Sequence, residues 1–108
     1  MAPLWLERIK EFLNDSYDQA LTLDVIGRVG DVHPVHVARC FRRYYATTVG
    51  DYLRQRRIEA AIDQRLQTKR SLTRIAVDCG FSSHGHFCTV FKRTTGLTPS
   101  EFRYLRKR

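Results

Sequence analysis

Apolar residues recur every three or four positions along most of the chain, the spacing of helices that bury one face. No alternating polar and apolar stretch is long enough to compete as a strand. The breaks between periodic runs carry helix punctuation. Pro34 follows His33 and Pro99 follows Thr98, and each proline suits the first turn of a helix, where a missing N–H costs nothing. Thr98-Pro99-Ser100-Glu101 has the form of a capping box, with Glu101 reaching back to the helix start. Gly80 and Gly96 lie just past apolar runs, as left-handed helix-ending residues do. The pattern predicts an all-α fold of seven helices at 4–14, 23–30, 34–45, 49–67, 72–79, 83–95 and 99–106.

An internal repeat organises these helices. A shift of fifty aligns Phe41-Arg42-Arg43 with Phe91-Lys92-Arg93, Thr48 with Thr98, Asp51 with Glu101 and Tyr52 with Phe102. Val37 falls on Phe87 and Cys40 on Val90, so the apolar faces coincide. Upstream the offset is forty-nine, with Ile26 on Ile75, Gly30 on Cys79 and Asp31 on Gly80, so the two turns differ by one residue. Each copy is a short helix, a tight turn and a longer helix. The expected organisation is a first helix-turn-helix subdomain at 4–47, a bridging linker helix at 48–67, and a second helix-turn-helix subdomain at 68–108. Tyr52, Leu53, Ala61, Ile62 and Leu66 of the linker helix are placed to pack on both copies.

A helix-turn-helix unit holds its second helix so that it can enter the major groove of B-DNA, which requires one face for packing and another for reading. In the helix at 34–45, Val37, Cys40, Phe41 and Tyr44 form the expected inward stripe, leaving Val35, Ala38, Arg39 and Arg42 outward. In the helix at 83–95 the inward stripe is Phe87, Val90, Phe91 and Thr94. His84, Gly85, Cys88, Thr89 and Lys92 face outward there, with His86 on the flank. Both outward faces are small or polar near the N-terminal end and basic further along.

Composition agrees with a polyanionic partner. The 108 residues carry 19 Lys plus Arg against 11 Asp plus Glu, a formal charge of +8. That excess favours nucleic acid or an anionic surface without choosing between them. No apolar run approaches the roughly 18 residues of a membrane span. Glu7, Arg8 and Lys10 follow the N-terminus too closely for a signal peptide. Three cysteines, Cys40, Cys79 and Cys88, with no CxxC pair, argue against a disulfide scaffold and for a reducing cytoplasm.

The stretch Ile75-Ala76-Val77-Asp78-Cys79-Gly80-Phe81-Ser82-Ser83, followed by His86-Phe87, Phe91-Lys92-Arg93, Gly96, Thr98-Pro99 and Phe102-Arg103, resembles the signature of AraC/XylS-type transcription regulators. The resemblance extends from about Leu21 to Arg103. It implies seven helices, two helix-turn-helix subdomains bridged by a long helix, and two recognition helices entering successive major-groove segments about 34 Å apart. Carried over position by position, it places Val35, Ala38 and Arg39 at the bases of one half-site, and His84, Gly85, His86 and Thr89 at the other. Arg42, Arg43, Lys92 and Arg93 become phosphate contacts, which set register and carry no sequence information. The expected partners are double-stranded promoter or operator DNA and RNA polymerase, with an effector or dimerisation domain in a longer parent protein. No cofactor or metal is implied.

The first copy departs from the family pattern. Gly27 stands where a helix-packing alanine is usual, at a helix-propensity cost of up to about 1 kcal/mol. Asp31 occupies a turn position usually held by glycine, His33 replaces a capping serine, and Ala46 replaces another glycine. The first subdomain is therefore expected to be less stable or more mobile than the second. Val35 and Ala38 can touch only thymine methyls, leaving Arg39 as the guanine reader.

Plainer readings stand beside these. Arg39 can be solvated or phosphate-bound, and His84 and His86 can be ordinary exposed residues. Arg54, Arg56 and Arg57 suit a solvated face, while Arg103, Arg106, Lys107 and Arg108 offer nonspecific electrostatic grip or a frayed end. Phe41, Phe87 and Phe91 suit a core. His84-Gly85-His86-Phe87-Cys88 is rich in metal-ligand types, and His33 and His36 form a second pair, but neither cluster supplies a full ligand set. Cys88 lacks a carboxylate partner for nucleophilic catalysis and no phosphate-cradling glycine loop occurs, so an enzyme is not expected. The alternative function is a basic helical module binding a protein or an anionic surface. The repeat disfavours it, since membrane binding needs one long amphipathic helix.

Overall fold

The computed structural model describes residues 1–106, with backbone alone for Gln64 and Arg65. Lys107 and Arg108, assigned above to electrostatic grip, lie outside the described residues. The order is α1 (Leu4–Asp15), α2 (Leu23–Gly30), α3 (Pro34–Tyr45), α4 (Val49–Ala60), a π turn (Ala61–Arg65), α5 (Leu72–Asp78), α6 (His84–Thr95) and α7 (Pro99–Arg106). The described residues form no strand, and seven α-helices stand where the periodicity placed them. The chain divides into two compact units, Met1–Leu53 and Arg54–Arg108.

In the first unit, Leu6, Ile9 and Leu13 line one face of α1 and lose all solvent contact. They meet Ile26 of α2, Val37 and Phe41 of α3, and Val49 and Leu53 at the start of α4. Burial of each such side chain is worth roughly 1.5–3 kcal/mol relative to exposure. The ring of Phe41 takes Tyr45 edge-on at 4.9 Å and Tyr52 at 5.4 Å. Tyr52 Oη donates to Asn14 Oδ1 at 2.7 Å, which ties α4 to α1.

The second unit repeats this plan. Ile75 and Ala76 of α5 and Phe87, Val90 and Phe91 of α6 are buried with Ile58, Ala61, Leu66 and Phe81. Phe91 takes Phe102 edge-on at 5.5 Å, so the partner of Tyr52 under the fifty-residue shift makes the partner contact. The helix starts match as well. Asp51 N donates to Thr48 Oγ1 at 3.0 Å, and Glu101 N donates to Thr98 Oγ1 at 3.1 Å. Glu101 Oε1 in turn accepts from Thr98 N at 2.8 Å, completing the capping box. These bonds to Thr98, backbone first, hold the Glu101 carboxyl below the usual carboxylate range.

Three expectations change. The helix expected over 49–67 is α-helical only to Ala60; Leu66 N then donates to Ala61 O at 2.7 Å, five residues back. The wider turn delays the inward stripe by one residue and brings Leu66 to 2% exposure. Gln67 Nε2 donates to the carbonyls of Ile62 and Asp63, both at 3.3 Å. Tyr44, expected inward, is 42% exposed, and Tyr45 is the half-buried ring. Thr94 is likewise exposed, while Thr95 turns in and donates to Phe91 O at 2.9 Å.

The departures in the first copy take a definite form. Asp31 and Ala46 hold φ of 54° and 57°, where the second copy has Gly80 and Gly96 at 92° and 85°. A side chain in that region costs roughly 1–2 kcal/mol, less for aspartate. Gly27 is more than a weak helix former: a Cβ built on it would lie 2.6 Å from the carbonyl oxygen of Val32. Val32 N donates to Gly27 O at 2.9 Å, as Phe81 N does to Ala76 O, but the first turn closes onto a bare Cα. Gly27→Ala should therefore destabilise by about 1–2 kcal/mol, the clash outweighing the helix-propensity gain. Ala46→Gly should stabilise by about 1 kcal/mol. Urea unfolding monitored by circular dichroism checks both signs; a more stable Gly27→Ala protein would contradict the close approach.

Candidate nucleic-acid interface

The rotation of α3 follows from what it buries. Val37 and Phe41 have no solvent exposure, so the opposite face is turned out. Val35, at 52% exposure, Arg39, Arg42 and Arg43 are exposed, and Ala38 is half-buried between them. In α6, Phe87, Val90 and Phe91 are buried and His84, Gly85, His86, Thr89, Lys92 and Arg93 are exposed. All seven base candidates and all four phosphate candidates therefore reach solvent, wholly or in part. Each helix brings its own set together on one face.

Backbone chemistry sets the leading end of each helix. Ser83 Oγ accepts from His86 N at 3.1 Å. His33, which replaces serine in the first copy, still serves as a cap: its Nδ1 accepts from Val35 N at 3.2 Å. The fold thus keeps a side-chain cap at this position although serine is replaced. Beyond the caps, Arg42 and Arg43 occupy the last turn of α3, and Lys92 and Arg93 that of α6. Cations there complement the partial negative charge of the helix C-terminus. Among the described residues none of Arg39, Arg42, Arg43, Lys92 and Arg93 is held in an ion pair, although the charge of Lys92 helps lower the Glu101 carboxyl. The acidic partners lie elsewhere: Asp78 receives Arg70 at 2.9 Å and Arg74 at 3.3 Å.

The histidines differ in setting. His86 meets the ring of Phe81 edge-on at 5.5 Å, which holds it on the flank of α6. His84 Nε2 lies 3.6 Å from the Sγ of Cys88, and His36 Nε2 lies 3.7 Å from that of Cys40. Among the described residues no three His, Cys, Asp or Glu side chains converge as a ligand set.

Two readings of basic residues change. Arg54, Arg56 and Arg57, assigned to a solvated face, are all half-buried, and Arg57 lies over the ring of Phe81 at 6.0 Å. Arg103, assigned to electrostatic grip, withdraws Nε and Nη2 from solvent. Gly85, placed among the base contacts by the sequence, faces open space. A Cβ there would meet nothing within 4 Å among the described residues.

Comparison with known proteins places these faces in context. A helix-turn-helix domain family model matches residues 28–104. Regulatory protein SoxS of Salmonella typhimurium is 32% identical over 99 residues, covering 92% of this chain and 92% of SoxS. The bifunctional transcriptional activator/DNA repair enzyme AdaA of Bacillus subtilis is 31% identical over 103 residues. That match covers 95% of this chain and 49% of AdaA, so the chain spans about half of that relative. A crystal structure of a transcriptional regulator with an AraC-type DNA-binding domain, from Chromobacterium violaceum, superposes with a TM-score of 0.84. It is 27% identical, and the match covers 94% of this chain and 91% of that one.

Proposed function

The chain belongs to the AraC-type helix-turn-helix family of transcription regulators, and we propose that it reads double-stranded DNA through the exposed faces of α3 and α6, which enter successive major-groove segments. The observation that carries this reading is the partition of both helices. Each buries an apolar stripe that includes phenylalanine and presents small or polar residues at its leading end and cations in its last turn. Arg39 reads guanine with its guanidinium fork, and Val35 and Ala38 meet thymine methyls. His84, Gly85, His86 and Thr89 read the second segment. Arg42, Arg43, Lys92 and Arg93 hold phosphates and set the register.

Gly85 is compatible with this assignment, because a side chain there would project into open space on the outward face of α6. A base pair or phosphate approaching α6 closely would need that space. A protein-binding module would also use exposed cations, but its residues would not divide into a small leading end and a basic trailing end on both copies. The described residues contain no helix long and apolar enough to cross a membrane. The chain acts as a binding domain, not as an enzyme, with RNA polymerase and an effector or dimerisation domain as its functional context.

Fluorescence anisotropy with a cognate duplex tests these roles. Neutralisation of about 6–8 phosphates gives a log-log salt slope near −5 to −7. Arg39→Ala should cost about 1–3 kcal/mol and relax preference at one position, whereas Lys92→Ala should weaken all sequences alike and flatten the slope by about one unit. A uniform loss on Arg39→Ala would make that residue a phosphate contact. Gly85→Ala should stabilise the protein by about 0.5 kcal/mol. The same substitution should weaken duplex binding about tenfold, equivalent to about 1.4 kcal/mol. Unchanged binding would remove Gly85 from the interface.

A further inference from the structure

A cleft of about 500 Å³ opens to solvent within the first unit, lined by Leu21, Leu23, Ile26, Ala38, Arg39, Arg42, Thr48, Val49 and Gly50. Its volume falls in the range of small-molecule sites, which run to roughly 300–1,000 Å³. Leu21, Leu23, Ile26, Ala38 and Val49 make its walls apolar, while every ionisable side chain that lines it is an arginine. Neither Arg39 nor Arg42 is held in an ion pair among the described residues. Val49 and Gly50 open the first turn of α4, whose N–H groups lack acceptors within the helix and favour negative charge. Thr48 Oγ1 is already engaged by Asp51 N, and Asp51 itself does not line the cleft.

We propose that this cleft binds an apolar organic monoanion, with its hydrocarbon or aromatic body against Leu21, Leu23, Ile26 and Val49 and its carboxylate between Arg39, Arg42 and the start of α4. The chemistry of the lining selects this class. A neutral apolar molecule would leave two guanidiniums without a counter-charge, and a small inorganic anion would leave the leucine walls uncovered. Guanidinium and carboxylate also match in geometry, two N–H groups to two oxygens. Because Arg39 and Arg42 are also assigned to DNA, an occupied cleft competes with the duplex for both. That consequence rests on the proposed DNA contacts; binding in the cleft does not.

The test uses the full chain and 2-naphthoate as probe, with neutral 2-naphthamide as its match, followed by ¹H–¹⁵N correlation spectra. Naphthoate should produce saturable shifts at Leu21, Leu23, Val49 and Gly50 with a Kd of about 1 mM or tighter. Naphthamide should bind at least about tenfold more weakly. Leu23→Gln, at a position 41% exposed and outside the proposed DNA contacts, should weaken naphthoate without altering duplex affinity. Arg42→Gln should weaken naphthoate and reduce its preference over naphthamide. Naphthoate should displace a duplex from the natural chain and not from Leu23→Gln. Absence of saturable shifts or equal binding of the neutral probe would overturn the proposal, and saturation without displacement would overturn its competition with the duplex. A chain that binds naphthoate but no duplex would overturn the DNA assignment alone.

Discussion

Phe41 and Phe91 set the rotation of the two helices on which every functional statement depends. Each ring is without solvent exposure, and each meets the ring of the next helix edge-on, Tyr52 at 5.4 Å and Phe102 at 5.5 Å. A helix of 12 residues has three turns, so burial of one stripe leaves the opposite stripe in water. Packing of this kind is worth several kilocalories per mole when the buried ring and its aromatic neighbour are taken together. A polar or charged face has no comparable means of turning inward. The exposed sets on α3 and α6 therefore follow from the interior of each unit, and the DNA-reading assignment inherits its geometry from two phenylalanines.

Much of this was legible because the signals were local. Prolines at helix starts, the Thr98-Pro99-Ser100-Glu101 box and the glycines at positive φ depend on a few neighbouring residues, and the repeat added a second copy of each inference. The misplaced residues have a common origin. Tyr44 against Tyr45 and Thr94 against Thr95 are one-position differences at the ends of helices, where periodicity constrains rotation least. The π turn left no trace in the pattern, since Ile62 and Leu66 keep the regular spacing of four while the hydrogen bond runs from Leu66 N to Ala61 O. Gly27 was read through propensity alone, since the approach of the Val32 carbonyl is a contact across the turn. Arg57 and Arg103 show the same limit: a cation in a sequence carries no sign of the aromatic ring or packed surroundings that will receive its stem.

The two copies are not built to one standard. The second has glycine at both left-handed positions and serine at its cap; the first has aspartate and alanine there, and an imidazole as its cap. The first also closes its turn on Gly27 and carries the cleft beside Arg39 and Arg42. The same segment thus combines strained backbone, an exposed arginine pair that we assign to DNA, and an open apolar space. A ligand in this cleft would shift populations only by its differential affinity for the forms it can bind.

The central claim is that one chain presents two separate readers to one duplex. Selection of bound sequences from a randomised duplex library measures this most directly. Two blocks of base preference should emerge, with centres about 10 base pairs apart and on the same side of the helix. Enrichment of a single block, or of no sequence at all, would contradict the account.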